Sequence, residues 1–165
     1  MNPWLRRLHL VLTIGGGFAG LAVAFTTMGE SFRQSLPDGF LIISAALYFL
    51  CAVVVGVRLA DGTESRTSLL GLYGVQVPLL SSPVIAYHLS LGAHVYVGVL
   101  GGTFYWNLQF GDHYSVSLGN GDLLWGVGVN LFALGMYLIT RRTMPSKNRS
   151  ERSRVPSSLS QVGDA

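Results

Sequence analysis

Two hydrophobic rhythms run through this chain. Apolar runs at 8–27, 40–57, 69–91 and 123–140 each come close to the roughly 20 helical residues that cross a hydrocarbon core. Between the third and fourth runs the rhythm changes. The stretch TFYWNLQFGDHYSVSL, residues 103–118, alternates apolar and polar side chains around a Gly-Asp break, which is the period of a strand, a turn and a second strand. The pattern predicts an all-α integral membrane protein of four transmembrane helices, with a small extracytoplasmic β-hairpin in segment 92–121 between helices three and four. Residues 1–142 form a single membrane domain on this reading. Residues 143–165 form a basic, serine-rich tail expected to be disordered.

The hairpin's register follows from its two faces. A three-residue loop, Gly111-Asp112-His113, sets Phe110 opposite Tyr114, Leu108 opposite Val116 and Trp106 opposite Leu118. Phe104, Trp106, Leu108, Phe110 and Tyr114 then share one apolar face, the candidate partner-binding surface. The neighbouring AHVYVGVL, residues 93–100, also alternates and either extends the third helix or adds a third strand.

Charge orients the chain. Only 12% of residues are charged, against about a quarter in a soluble domain, and the mean hydropathy is +0.46. Arg6 and Arg7 precede the first run, Arg58 and Arg66 lie between the second and third, and six of the eleven basic residues lie at or beyond Arg141. No Lys or Arg occurs between Thr67 and Thr140. The positive-inside rule puts both termini in the cytoplasm, in a plasma (inner) membrane, with the basic tail against anionic lipid. A basic group confined to a tail excludes a nucleic-acid-binding face. The first 24 residues, ending Ala-Val-Ala, also read as a cleavable leader, which would leave three spans in the same orientation.

Small residues mark helix contacts. Gly16, Gly20 and Ala24 recur every four residues on the first run, Ala45, Ala52 and Gly56 share a face of the second, and Gly126 and Asn130 begin a stripe on the fourth. Asp122 is placed to cap the fourth helix. The third run is broken by Pro78 and Pro83, with Gln76, Ser81 and Ser82 around them, the kind of interruption that builds substrate sites in transporters.

Candidate chemistry is sparse. The single cysteine, Cys51, reads as a buried small hydrophobe and excludes thiol–disulfide exchange. His88, His94 and His113, with Asp112, are the donors available for a metal ion, although their spacing is neither helical nor that of one strand. No cofactor motif and no catalytic constellation is present, so no enzymatic activity is expected. The sequence points to an accessory or assembly subunit acting on a membrane or extracytoplasmic protein partner, or as a homo-oligomer. A transport or channel subunit using the third run is the alternative, and an extracytoplasmic histidine metal site the third reading.

Overall fold

The computed structural model describes residues 2–34, 36–63, 66–118 and 123–144. The tail beyond residue 144 and the proposed cap Asp122 lie outside the described residues. The chain opens with one long helix made of α1 (Pro3–Leu10), a π-helical turn (Val11–Gly16) and α2 (Gly17–Gln34), and returns through α3 (Leu36–Ala60). Both are long and apolar enough to cross a membrane: Pro3–Arg33 with mean hydropathy 1.9 and Leu36–Ala60 with 2.7. After α4 (Arg66–Val75) come six strands, β1 (Pro78–Ser81), β2 (Ile85–Ser90), β3 (Ala93–Leu100), β4 (Thr103–Phe110), β5 (His113–Leu118) and β6 (Gly126–Asn130). Helix α5 (Leu131–Thr143) ends the described chain.

The expectation of an all-α, four-span protein is therefore wrong. Among the described residues only two helices are candidate spans, and six strands form one antiparallel sheet. The third run is helical to Val75 and then becomes β1 and β2; the fourth begins as β6 and turns helical at Leu131. The physical reason is that a window average cannot separate a helix from strands whose outer side chains are all apolar. In GVGVN, residues 126–130, glycine and valine alternate strictly, which is a strand's period. Pro78 removes a backbone donor where α4 gives way to the sheet.

The hairpin also needs correction. The sheet order is β4-β3-β6-β1-β2-β5, so β4 and β5 are opposite edges and do not pair. The 93–100 segment is β3, and it takes the place expected of β5: Phe110 pairs with Ala93, Leu108 with Val95 and Trp106 with Val97. Chain connectivity forces this sheet to curl. In a flat sheet β2 and β3 would stand about 14 Å apart and β4 and β5 about 24 Å apart, at roughly 4.8 Å per strand. Yet the first pair is joined by Leu91-Gly92 alone and the second by Gly111-Asp112 alone, links that reach at most about 11 Å. The sheet closes on itself at that corner and forms a half-barrel.

The corner rests on the first helix midway along its length. A side chain on Gly16 would come within 2.9 Å of Leu91 and 3.0 Å of the Asp112 carboxylate. Gln76 ties the corner to α4, its Nε2 donating to the Leu72 carbonyl (3.0 Å) and its Oε1 accepting from Leu91 N–H (2.9 Å). Leu89 and Leu91 join Ala45, Phe49, Ala52 and Leu72 in one core. A second core, of Leu12, Leu59, Leu69, Tyr73 and Met136, binds the helical end. There His9 Nδ1 and the Tyr73 hydroxyl lie 2.8 Å apart, linking α1 to α4.

The small residues are spread over different contacts. Gly20 lies against the ring of Phe49, Ala24 is buried, and Gly56 faces Thr13 and Ile14. Asn130 is no mid-helix residue but the cap of α5, its Oδ1 accepting from Ala133 N–H at 3.3 Å. Cys51, expected in the packing, is exposed on α3.

Gly20→Ala is expected to lower stability by about 1–3 kcal/mol, because the added carbon must displace the fully buried Phe49 ring. Gly29→Ala, on the same helix with open space around it, should change stability by no more than about 0.5 kcal/mol. Thermal unfolding of both variants in detergent checks the pair.

Candidate functional site

Register sorts the half-barrel into two faces. His88 pairs with Ser115 and Ser90 with His113 across β2 and β5; His94 pairs with Gln109 and Tyr96 with Asn107 across β3 and β4; Tyr96 also faces Asn130 on β6. Alternation puts all of these on the inner face. The intervening residues point outward: Leu89 and Ala93 are buried there, whereas Val99, Phe104, Trp106, Leu108, Phe110 and Val127 are exposed. The half-barrel thus gathers its polar side chains inside, beside the apolar Leu79, Ala86 and Leu100, and is apolar outside.

The three histidines that share neither a helix nor a strand repeat are brought together by the sheet's closure. Ring centroids lie 4.2 Å apart for His88–His113, 5.4 Å for His88–His94 and 5.9 Å for His94–His113. Tyr96 completes the cluster, 4.1 Å from His88 and 4.7 Å from His94. Ser90 Oγ lies 2.9 Å from His94 Nδ1. Asp112 does not join them: its Oδ1 accepts from Gly92 N–H at 2.6 Å, clasping one corner turn to the other. Among the described residues no three His, Cys, Asp or Glu side chains are arranged to hold a metal ion. The rings pack against one another instead of converging on a shared point.

Burial keeps these imidazoles neutral. It lowers the pKa of His88 to about 3, helped by the neighbouring His113 and His94 charges. It also lowers His94, where His113 adds to the effect and Gln109 opposes it, and lowers His113. Asp112 moves the other way, raised by burial to about 6 against the opposing Gly92 hydrogen bond. Among the described residues, His88 Nε2, His94 Nε2 and Asn130 Nδ2 are buried without a hydrogen-bond partner. Asn130's amide cannot simply be turned over, because its Oδ1 already accepts from Val95 and Ala133 N–H groups.

The other predicted residues separate cleanly. Phe104, Trp106, Leu108 and Phe110 stand on the outer face of β4, 67%, 67%, 51% and 80% exposed. Tyr114 leaves that group; it packs beside the core under α3, and burial, then Asp38, raises its hydroxyl to about 12. Gln76 and Ser82 are buried, and the Ser82 hydroxyl is engaged with Ile85 at both its carbonyl (2.8 Å) and its N–H (3.0 Å). Ser81 donates to the Leu124 carbonyl at 2.7 Å. Pro78 starts β1 and Pro83 lies in the turn after it. Gly126 is on the inner face of β6, and Gly16 supports the corner. Sequence reasoning missed Ser90, Tyr96, Tyr105 and Ser115. The signal available for Ser90 and Tyr96 was the period-two pattern running through residues 85–100, in which every second residue from Ala86 to Ser90 and from His94 to Tyr96 is small, polar or a ring with a polar tip.

Asp112 supplies a pH test. Its folded pKa lies above its ordinary 3.8, so the stability it contributes is complete below that value and is lost as pH rises through about 6. Asp112→Asn keeps the acceptor for Gly92 and removes the charge. The variant should melt higher than the parent at pH 7.5, and the difference should vanish toward pH 4. The histidines act oppositely: the stability they contribute is present above 6.5 and falls as pH drops toward 3. His88→Leu should therefore flatten the parent's acid loss in the same melts.

Compared with known proteins, the chain matches no protein family, no curated protein and no solved structure.

Proposed function

We propose that this chain is an integral membrane protein that works by contact, as an accessory or assembly subunit whose docking element is β4. One observation carries the reading. β4 is an edge of the sheet, and the same strand exposes Phe104, Trp106, Leu108 and Phe110 along its outer face. A long hydrophobic edge strand is a template for pairing with another chain, which native proteins otherwise cover or blunt.

The membrane placement rests on the two apolar helices and on charge. Arg6 Nη2 donates to the Ala60 carbonyl at 2.7 Å and Arg66 Nη2 to the Arg141 carbonyl at 2.7 Å, so the basic residues of three segments gather at one end. Taking Pro3–Arg33 and Leu36–Ala60 as the spans, the positive-inside rule sets that end, with both termini, in the cytoplasm. The half-barrel corner meets the first helix near its middle, at Gly16. The sheet therefore stands beside the outer half of the spans, where an open strand edge cannot be left to lipid.

The contact reading is preferred to the transport alternative because polar groups around the break in the third run are engaged within the fold: Gln76 joins the Leu72 carbonyl of α4 to the Leu91 N–H, Ser82 bonds Ile85 and Ser81 bonds Leu124.

Photo-crosslinking in native membranes tests the proposal. A photoreactive residue at Leu108 should give a discrete adduct with another membrane or extracytoplasmic protein, whereas one at Val23, on the outward face of α2, should give lipid. Trp106→Ser with Phe110→Ser should abolish the protein adduct and leave the melting temperature within about 2 °C, since exposed side chains contribute little to stability. Lipid adducts at both positions, or an adduct only with a second copy, would sink the accessory reading.

A further inference from the structure

The half-barrel holds a partly open pocket of about 230 Å³. Three consecutive inner positions around the β3–β6 pair are glycines: Gly98 opposite Gly128, and Gly126 opposite Leu100. These strands approach too closely for side chains there. A Cβ on Gly98 would strike the Val127 carbonyl oxygen and lie 2.6 Å from Gly128 Cα; one on Gly126 would lie 2.8 Å from the Val99 oxygen. None of these glycines lines the pocket, whose wall is made by residues of the neighbouring strands.

The lining states the chemistry of an occupant. Leu79, Ala86 and Leu100 supply an apolar wall, and His88, Tyr105 and Ser115 supply polar groups. No Lys, Arg, Asp or Glu occupies any inner-face position of the six strands. A charged guest would have no counter-charge in this space, so the cavity suits an uncharged one. His88 packs against three other rings, which hold its imidazole in place, and its Nε2 has no hydrogen-bond partner among the described residues. His88 is one of the polar residues that form the wall of this pocket. Size sets the last limit. A cavity of about 150 Å³ holds benzene, so this one accommodates a single ring with a substituent.

We propose that the lumen of the half-barrel binds one small uncharged molecule, about the size of a substituted six-membered ring, whose oxygen hydrogen-bonds the His88 imidazole. This site is separate from the outer face of β4. Being neutral over the physiological range, His88 offers either an N–H to a carbonyl oxygen or a lone pair to a hydroxyl.

The test uses the full chain in lipid nanodiscs, labelled with ¹⁵N in the histidine rings and titrated with acetophenone, an uncharged aromatic ketone. The His88 resonances should move saturably, while those of His9, in the helical half of the molecule, stay in place. Ala86→Phe, which fills the cavity, should weaken binding at least tenfold. His88→Leu should weaken it about fivefold, the worth of one neutral hydrogen bond. A His88 signal that does not move, movement shared by His9, or unchanged affinity in Ala86→Phe would overturn the proposal. If either variant fails to fold, the His88 and His9 shifts of the parent protein decide.

Discussion

The sheet half of this protein depends on one close approach, at Gly16. Because that residue has no side chain, the Leu91-Gly92 turn and the Asp112 carboxylate can sit directly on the first helix. The two corner turns then lock to each other: Gly111 N–H donates to the Gly92 carbonyl at 2.9 Å and Gly92 N–H to Asp112 at 2.6 Å. Gly92 and Gly111 adopt φ of +76° and +117°, which only glycine enters without strain. Pinning this corner draws four strand ends to one point. The curl of the sheet, the gathering of three histidines from three strands, and the opening of β4 away from β5 all follow from it.

The half-barrel inverts the usual arrangement of a soluble barrel, with hydroxyl, amide and imidazole groups within and valine, leucine and aromatic side chains without. The helices agree with it. Phe18, Phe25, Phe40, Leu47 and Leu50 point outward, whereas His9, Thr13 and Thr140 are fully buried. The buried threonines of the helical half are answered locally: Thr13 donates to the His9 carbonyl at 2.7 Å and Thr140 to the Met136 carbonyl at 2.7 Å. Both halves therefore present apolar surface in the same direction. That suits a lipid surround, in which polar groups must find partners inside the fold.

How much of this was legible in the chain depended on whether a local period carried it. The two long helices are plain from hydropathy, and so is the strand period of 93–118. The partners of those strands were not legible, because alternation fixes which face a side chain takes and leaves open which strand lies beside it. Trp106 opposite Leu118 and Trp106 opposite Val97 both keep apolar against apolar; the choice was made by tertiary closure at Gly16. The third and fourth runs misled for another reason. Strands such as 85–90 and 126–130 sit inside longer apolar runs whose length resembles a span, and Asn130 fits a helical stripe as well as a helix cap. The histidine cluster was hidden because no local spacing encodes a contact made by curling a sheet. Its individual members were nonetheless visible as the titratable residues of an otherwise uncharged region.

The two edges of the sheet are not equivalent, and the difference bears on what β4 requires. β5 leans on α3, and its Tyr114 joins the central core. β4 has β3 as its neighbour and presents its outer face uncovered. Lipid would cover Trp106 and Phe110 but offers nothing to the backbone N–H and C=O groups along the free edge. Water would satisfy the backbone but not four large apolar side chains. A polypeptide segment lying alongside meets both demands at once, since its backbone completes the ladder and its alternate side chains continue the apolar face. On the proposed docking reading, the complement that fits this strand is an extended segment, antiparallel or parallel, with apolar side chains at every second position.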